Sequence, residues 1–324
     1  MNTPKIHIIH ENDLWTTPLI THLQNMEVPY EDWFINEGKL DLQKEPPEGI
    51  FYNRMSASSH TRQHRYAVEL TDTILSWLEA HGRKVINDSR ALALEVRKTQ
   101  QLTALNAFDI PTPISLVANS KTDLLQAAKD LDQLPFIVKP NRGGKGLGVK
   151  LYHTLKQLET DILEDSHPQS LDGILIVQQY VKPIDGRITR VEMIGDQLYY
   201  AVSVDATGGF ELCPADSCNV EGEFCPAEAT HSDSNVTPKF NIIPEYTNPD
   251  TAKYISMFKS KGISIGALEY VLAENGLRYV YDVNTNTNYN AEAESRHGKR
   301  VSGMKRIADY LSSELYKAYP QVVN

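Results

Sequence analysis

The stretch FIVKPNRGGKGLGVKLY, Phe136 to Tyr152, decides how the rest of the chain is interpreted. Several glycines lie between two short runs rich in β-formers, so a flexible loop is expected between two strands. Such a loop brings bare backbone N–H groups close to phosphate oxygens. Lys139, at the end of the first run, adds a cation that would face the same phosphates. The phosphate-binding residues predicted in the loop are Gly143, Gly144, Lys145, Gly146 and Gly148.

Two familiar phosphate loops do not fit this stretch. A Walker A loop would continue from its last glycine into Lys and then Ser or Thr, whereas Gly148 is followed by Val149 and Lys150. A dinucleotide-binding turn would lead into a helix, and here a strand is expected. The remaining alternative is a glycine-rich hairpin turn whose lysines are solvated.

A second motif, GALEYVLAENGLRYVYDVNTNTNYN, covers Gly266 to Asn290. Asn275-Gly276 predicts a hairpin with a two-residue turn, because both residues accept a positive φ. Counting back from that turn places Glu269 directly opposite Asp282. Two carboxylates with Cβ atoms roughly 5 Å apart are destabilising unless a cation lies between them.

The face of that hairpin predicts a metal site. Asn284 lies two residues beyond Asp282 and adds a neutral oxygen ligand on the same face. Val280 is assigned to this face as well, which indicates that the face is partly covered. Oxygen ligands with room left for water and phosphates are what Mg²⁺ prefers. The predicted ligands are Glu269, Asp282 and Asn284, and the alternative is an exposed hairpin whose acids face water.

Three further cations are candidates for binding anions. Lys98 lies in a helix, Arg54 ends an N-terminal strand, and Arg190 lies in the middle of a strand. A lone cation is usually a solvated surface charge. Arg190 is the stronger candidate, because strand alternation places it on the face of Ile188 and Glu192.

Composition narrows the function classes. The chain has 324 residues, 32 basic and 42 acidic side chains, and a formal net charge of −10, with no run of basic residues. Binding to nucleic acid is therefore not expected. No apolar window approaches the roughly 20 residues of a membrane-spanning helix, and the amino terminus has no signal-peptide core. We expect a soluble, cytoplasmic protein.

The cysteines suggest a zinc loop that their spacing does not favour. Cys213, Cys218 and Cys225 lie in one polar stretch, with His231 a little beyond. Structural zinc sites usually use closer pairs of ligands than these. Reduced loop cysteines are the preferred interpretation.

The order of elements predicts an α/β chain of three parts. Residues 1–88 alternate strands and helices, as in a parallel lobe. A helix capped by Ser89 and running to about Phe108 opens the second part, and consecutive antiparallel strands begin at Ile174. Residues 205–248 read as a long loop. The expected domains are an N-terminal α/β domain at 1–88, a central subdomain with the glycine-rich lid at 89–180, and a C-terminal subdomain with the metal site at 181–324.

Taken in order, these pieces resemble the ATP-grasp superfamily, most closely its RimK-like and glutathione-synthetase-like carboxylate–amine ligases. The resemblance covers roughly Gly49 to Tyr310. It implies an N-terminal parallel lobe followed by two lobes that enclose ATP. The segment IFYNRMS matches the family's substrate-side strand, and FIVKPNRGGKGLGV matches its lysine and lid. The segment IVQQYVK matches the adenine hinge, and GRITRVEMIGD matches the arginine strand.

The resemblance also implies roles for individual residues. Lys98 and Lys139 would bind the nucleotide, Gln179, Tyr180 and Val181 would meet adenine, and Arg190 and Lys139 would act in catalysis. The substrate side is assigned to Arg54, Ser56 and Asn288.

The implied activity is ATP-dependent formation of an amide or peptide bond through an acyl phosphate. The cofactors would be ATP and Mg²⁺, with two ions expected and Mn²⁺ as an alternative. The partners would be a small carboxylate and an amine, with neither nucleic acid nor membrane, and a homo-oligomer is left open. Two alternatives remain: a RimK-like ligase that modifies a protein or peptide tail, and a non-catalytic ATP-binding module.

Overall fold

A computed structural model describes residues 3–144, 146–206, 238–298 and 302–323. The strands of these residues form three sheets that follow one another along the chain. The first sheet is parallel, and the second and third are antiparallel. The expected mixed α/β fold with a parallel N-terminal sheet is confirmed, and both of the later sheets are antiparallel. No helix among the described ranges has both the length and the apolar character that a bilayer crossing requires.

The first sheet has the strand order β2-β1-β3-β4. Its outer strand β2 was not predicted, because YEDWF is polar and half exposed. Hydrophobic strands dominate the middle, where every residue of β3 is buried. The elements are β1 (Lys5–His10), α1 (Asp13–Asn25), β2 (Tyr30–Phe34), β3 (Gly49–Asn53), α2 (Ala67–Ala80) and β4 (Lys84–Ile86), with a 3₁₀ turn at Ser59–Arg62.

The single helix predicted from Ser89 to Phe108 is wrong. Two helices occupy this stretch, α3 (Ser89–Val96) and α4 (Lys98–Ala107). Asp88, not Ser89, caps the first, since its side chain accepts from the N–H groups at the start of α3. Between them Arg97 adopts an extended conformation (φ −129°, ψ 105°). The break has a tertiary cause, because Asn141 from another lobe accepts at 2.9 Å from the N–H of Thr99 and so caps α4.

The second sheet has the order β5-β8-β6-β7. The glycine-rich stretch joins β6 to β7, as predicted. The spacing of Thr154 and Gln157 in the sequence predicts a capping box, and the two residues form one at the start of α6. The elements are β5 (Ser115–Ala118), α5 (Lys121–Leu131), β6 (Phe136–Pro140), β7 (Lys150–Tyr152), α6 (Leu155–Leu163) and β8 (Leu175–Gln179).

The third sheet has the order β11-β10-β9-β12-β13. A short strand, β11, lies within the region expected to be a loop and pairs with β10. The predicted cysteine loop lies outside the described residues. The elements are β9 (Arg187–Ile194), β10 (Gln197–Asp205), β11 (Phe240–Ile243), α7 (Thr251–Ser260), β12 (Ile265–Leu272), β13 (Arg278–Asn284), α8 (Ala291–Arg296) and α9 (Gly303–Ala318), followed by a 3₁₀ turn at Pro320–Val323.

The last helix returns to the first sheet. Ile307 and Leu311 of α9 are fully buried and share a core with Ile6 of β1 and Leu19 of α1. The same core includes Ile265 of the third sheet. Burying such side chains contributes roughly 1.5–3 kcal/mol each, so this shared core fixes the first and third sheets against each other.

The hairpin of β12 and β13 has a different turn from the predicted one, yet Glu269 does pair with Asp282. Ala273 donates to Leu277, which makes a three-residue loop whose last residue, Gly276, has φ +78°. A bulge at Tyr281 then adds one residue to β13 and restores the register. The bulge also corrects one assignment. Val280 pairs with Tyr270 and packs in the core on the other face of the sheet, not beside Asp282.

Candidate active site

One cavity of about 420 Å³ lies where the three lobes meet. The second sheet contributes the lid glycines, and the third sheet contributes the acidic end of the hairpin. The first lobe contributes the loop after β3. The lining residues that the sequence had singled out are Ser56, Lys98, Lys139, Gly143, Gly144, Gly146, Gln179, Tyr180, Val181, Arg190, Glu269, Asp282, Asn284 and Asn288.

Glu269, Asp282 and Asn284 form one group, named here the carboxylate cluster. The amide nitrogen of Asn284 lies 3.5 Å from an oxygen of each carboxylate. Rotating that amide by half a turn would exchange its nitrogen for its oxygen, and the two orientations are distinguished only by their hydrogen bonds. The cluster then presents three oxygen donors, so its residues fit Mg²⁺.

Each carboxylate of the cluster already has a cation beside it. Lys98 forms an ion pair with Asp282. Arg190 donates to Glu269 at 2.6 Å and to Glu192 at 2.5 Å. These cations resolve the repulsion expected between two facing carboxylates.

The protonation equilibria of this group are shifted by burial and by pairing. Burial raises the pKa of Glu269, although Arg190 acts against it. Burial opposes the charged form of Lys98, but Asp282 reverses that effect and raises its pKa. In the same way, Glu192 and Glu269 outweigh burial and raise the pKa of Arg190. Both cations are therefore held in the charged form.

Lys139 is in a different electrostatic environment. Its side chain is buried at the end of β6, and it forms no ion pair within the described part of the chain. Burial lowers its pKa to about 7, and the positive charge of Lys98 adds to the effect. A phosphate group bound there would favour the protonated, positively charged form of this lysine.

The lid approaches the first lobe closely. A Cβ added to Gly144 would lie 3.2 Å from Cβ of Ser58. Arg142 forms an ion pair with Glu69 of α2 at 2.9 Å. Gly148 (φ +73°) belongs to the loop but does not line the cavity, and Lys145 lies outside the described residues. This approach favours glycine at 144, because a side chain there would press against Ser58.

The hinge segment lies at the end of β8. The N–H of Gln179 donates to the carbonyl of Ile114 at 2.8 Å, which ties β8 to the junction before β5. Gln179, Tyr180 and Val181 all line the cavity at this end. Their position beside the lid strand is compatible with the predicted contact with adenine.

Arg54 is completely enclosed. Its Nη2 donates to Oδ1 of Asn286 at 3.2 Å and to Oδ1 of Asn288 at 3.0 Å, and its Nη1 contacts Sδ of Met304 at 3.6 Å. Arg54 itself does not line the cavity, whereas both asparagines do. Ser56 lines the cavity as well, and its hydroxyl lies 2.9 Å from that of Ser58.

Several cavity residues were missed by the sequence analysis. Glu95 accepts from the N–H groups of Ala57 at 3.3 Å and of Thr285 at 2.7 Å, which joins the first lobe to the end of the hairpin. Arg62 stacks on Trp15, 4.9 Å from its ring centre. These residues come from separate segments, so no local spacing indicated them. The cavity-lining residues that the sequence analysis missed include Trp15, Ala57, Ser58, Glu95 and Asn286.

Comparison with known proteins shows what part of the chain is similar to. Residues 91–211 match the family model described as a RimK-like ATP-grasp domain. A probable alpha-L-glutamate ligase 1 of Shewanella denitrificans is 29% identical over 136 residues, which are 42% of this chain and 45% of that protein. A probable alpha-L-glutamate ligase of Pseudomonas entomophila is 25% identical over 231 residues, which are 71% of this chain and 68% of that protein. The match therefore spans less than half of the first of these relatives.

A solved structure extends the likeness to almost the whole chain. ATP-grasp ligase PsnB, complexed with minimal precursor, aligns with a TM-score of 0.65 at 18% identity, over 96% of this chain and 100% of that chain. At this identity the likeness concerns the fold, and it includes both the lobe before the matched domain and the lobe after it. The resemblance of the chain to the ATP-grasp superfamily is therefore confirmed, and within it residues 91–211 match a RimK-like ATP-grasp domain.

Proposed function

We propose that this protein is an ATP-dependent carboxylate–amine ligase that forms an amide or peptide bond on an amino acid or small peptide. The observation that supports this most directly is the single cavity shared by three lobes. It joins phosphate-binding lid glycines, the carboxylate cluster and the polar loops of the first lobe. A site that only bound nucleotide would not need the third of these walls.

The nucleotide would lie between the second and third sheets. Its adenine would meet Gln179, Tyr180 and Val181, and its phosphates would face Lys98, Lys139 and the lid. The carboxylate cluster would hold Mg²⁺, with two ions proposed, and bound Mg²⁺ neutralises charge on the phosphates. The named ligases among the relatives are in keeping with this assignment.

Two bonds are exchanged in the proposed reaction. A carboxylate oxygen of the acid attacks the γ-phosphorus, and ADP leaves with the bonding electrons. The amine then attacks the acyl carbon, phosphate leaves, and the amine nitrogen gives up a proton. Arg190 lies beside the carboxylate cluster and would stabilise the transferring phosphoryl group. Lys139 would act on the same charge, and the remaining contribution of the protein is positioning.

The acid is assigned to the end of the cavity that Ser56 and Asn288 line, with Arg54 behind Asn288. We also propose a cytoplasmic location and a small-molecule amine as the second substrate. A protein or peptide tail as the substrate is the second candidate, because a solved structure shows PsnB complexed with a precursor peptide.

The test is ADP release from Mg-ATP with and without an equimolar pool of L-amino acids and dipeptides. We expect ADP release that depends on the pool, together with an amide product detected by mass spectrometry. ATP binding without ADP release on the pool or on a longer peptide would instead identify a non-catalytic module. Release that appears only with a longer peptide would favour the second candidate.

A further inference from the structure

Arg54 is a buried cation without an acidic partner. Its side chain is 1% exposed, and among the described residues no carboxylate lies within ion-pair distance of it. Its acceptors are two amide oxygens and a thioether sulfur, and its Nε has no hydrogen-bond partner in the part of the chain that the structure describes. A buried charge of this kind is costly unless something compensates for it.

The hydrogen bonds of Arg54 fix the orientation of two side chains, Asn286 and Asn288, named here the asparagine pair. A guanidinium has only N–H donors and no acceptor. The pair must therefore present its oxygens to Arg54, since the reversed amides would place donors against donors. The two amide nitrogens then point away from the guanidinium.

The asparagine pair lies between Arg54 and the cavity. Both side chains line the cavity, and neither amide nitrogen has a hydrogen bond within the described residues. Neither nitrogen is fully buried, and because both side chains line the cavity, both donors are open to it. The wall consequently offers two neighbouring N–H donor groups with a positive charge behind them.

Building on the proposed function, we propose that the asparagine pair binds a carboxylate of the acid substrate, an amino acid or short peptide, and that Arg54 positions the pair without touching the substrate. Two adjacent N–H donors match the two oxygens of a carboxylate. Arg54 lies over the ring of Tyr52, 5.9 Å from its centre, but no carboxylate among the described residues is paired with it, so one negative charge would balance its guanidinium. Hydrogen bonds to charged groups are also stronger than those between neutral ones.

A purely structural alternative is that Arg54 only ties the first lobe to the loop after β13. Replacement of asparagine by aspartate separates the two. Asn286→Asp and Asn288→Asp keep the oxygen that Arg54 needs but remove the donor and add a negative charge facing the substrate. A structural tie would be preserved or strengthened, whereas a carboxylate site would be lost.

The experiment measures ligand binding by saturation-transfer NMR with a defined pool of L-amino acids and dipeptides in the presence of Mg-ADP. We expect wild-type protein to bind at least one member of the pool through its carboxylate. Each aspartate variant should weaken that binding about ten-fold or more, with Mg-ADP affinity and the thermal midpoint not reduced. Asn275→Asp, at the exposed hairpin tip, is the charge-matched control and should bind as wild type does.

Two results would overturn the inference. One is that no member of the pool binds to wild-type protein, and the other is that a member binds equally to wild type and to both aspartate variants. The proposed ligase activity has a separate readout, pool-dependent ADP release by the wild type. Binding that is sensitive to the aspartate variants but without such release would support the inference and count against the ligase.

Discussion

Two arginines lie buried beside the same cavity, and they differ in what faces them. Arg190 lies between Glu192 and Glu269, with hydrogen bonds of 2.5 and 2.6 Å. Arg54 faces the neutral oxygens of the asparagine pair. At the carboxylate cluster the cations are paired with acids of the protein, whereas among the described residues no acid is paired with Arg54 behind the asparagine pair. The first arrangement favours exchange of partners when metal and phosphate enter, and the second favours addition of an anion.

The largest expected effect comes from removing one negative charge from the carboxylate cluster. Glu269→Gln keeps a side chain of the same shape but removes a ligand carboxylate from the cluster. We expect ADP release to fall about 100-fold or more, as for loss of a group that acts on the transferred phosphate. The fold should persist, because Arg190 still has Glu192.

Circular dichroism and thermal melting of Glu269→Gln provide the control for folding. Wild-type turnover by this variant at saturating Mg²⁺ would contradict the metal assignment.

Lys139 allows a second test, because no acid among the described residues forms an ion pair with it. Lys139→Met removes a buried group whose pKa is lowered to about 7 by burial. Mg-ATP affinity should fall about ten-fold or more, while the free energy of unfolding at neutral pH should rise by about 1–2 kcal/mol. Calorimetry measures the affinity, and denaturant unfolding measures the stability.

Lys98→Met is the matched comparison for that experiment. It removes the ion-pair partner of Asp282, so it should weaken Mg-ATP binding and lower stability as well. Equal stability changes in the two variants would contradict the difference drawn between the two lysines.

Replacing each arginine with lysine distinguishes the role of Arg190 at the carboxylate cluster from the role of Arg54 behind the asparagine pair. Arg190→Lys should lower kcat about ten-fold, because one ammonium cannot replace the forked contacts to Glu192 and Glu269. Arg54→Lys should raise the KM for the acid or amine substrate several-fold and leave the KM for ATP nearly unchanged, since the asparagine pair loses its orientation. Steady-state kinetics on both variants check this. Unchanged substrate KM values in Arg54→Lys would remove this arginine from substrate binding.

The smallest expected effect is a pH dependence of nucleotide binding. Lys139 loses its proton near pH 7 in the free protein, and bound phosphate would raise its pKa. Above about pH 7 binding should therefore take up a proton, and Mg-ATP affinity should fall by at most about ten-fold per pH unit. Calorimetry in two buffers of different ionisation enthalpy measures the proton, and Lys139→Arg should abolish the uptake.

The titration of Lys139 also determines whether the stability of the protein rises or falls with pH. The pKa of Lys139 is lower in the folded state than its ordinary value of 10.5. The unfolded chain therefore binds more protons over that interval, so the free energy of unfolding should rise as the pH increases from about 7 toward 10.5. Lys139→Met should lack this rise.

Local pattern was sufficient for most of the fold. Glycines between two β-rich runs predicted the β6–β7 loop, and the spacing of Thr154 and Gln157 predicted the cap of α6. Short-range rules work there because the interactions that decide the structure lie within a few residues. Polar strands such as β2 were missed, since their pairing depends on a neighbour distant in sequence.

The pairing of Glu269 with Asp282 shows how far counting along the sequence reaches. The assumed two-residue turn is wrong, and the bulge at Tyr281 compensates for it. The same bulge moves Val280 to the opposite face, where it packs in the core. A bulge depends on how the strand meets both of its neighbours, so no turn motif indicates it.

The sequence by itself determined which residue types were available for the site: the lysine and glycines of the lid, and the acids and amide of the hairpin. Only the tertiary structure decided which charges are paired. Arg54 and Arg190 were both predicted to bind anions, but among the described residues only Arg190 forms ion pairs with carboxylates. The physical reason is that pairing and desolvation act over a few ångströms between segments more than 70 residues apart, as for Arg190 and Glu269.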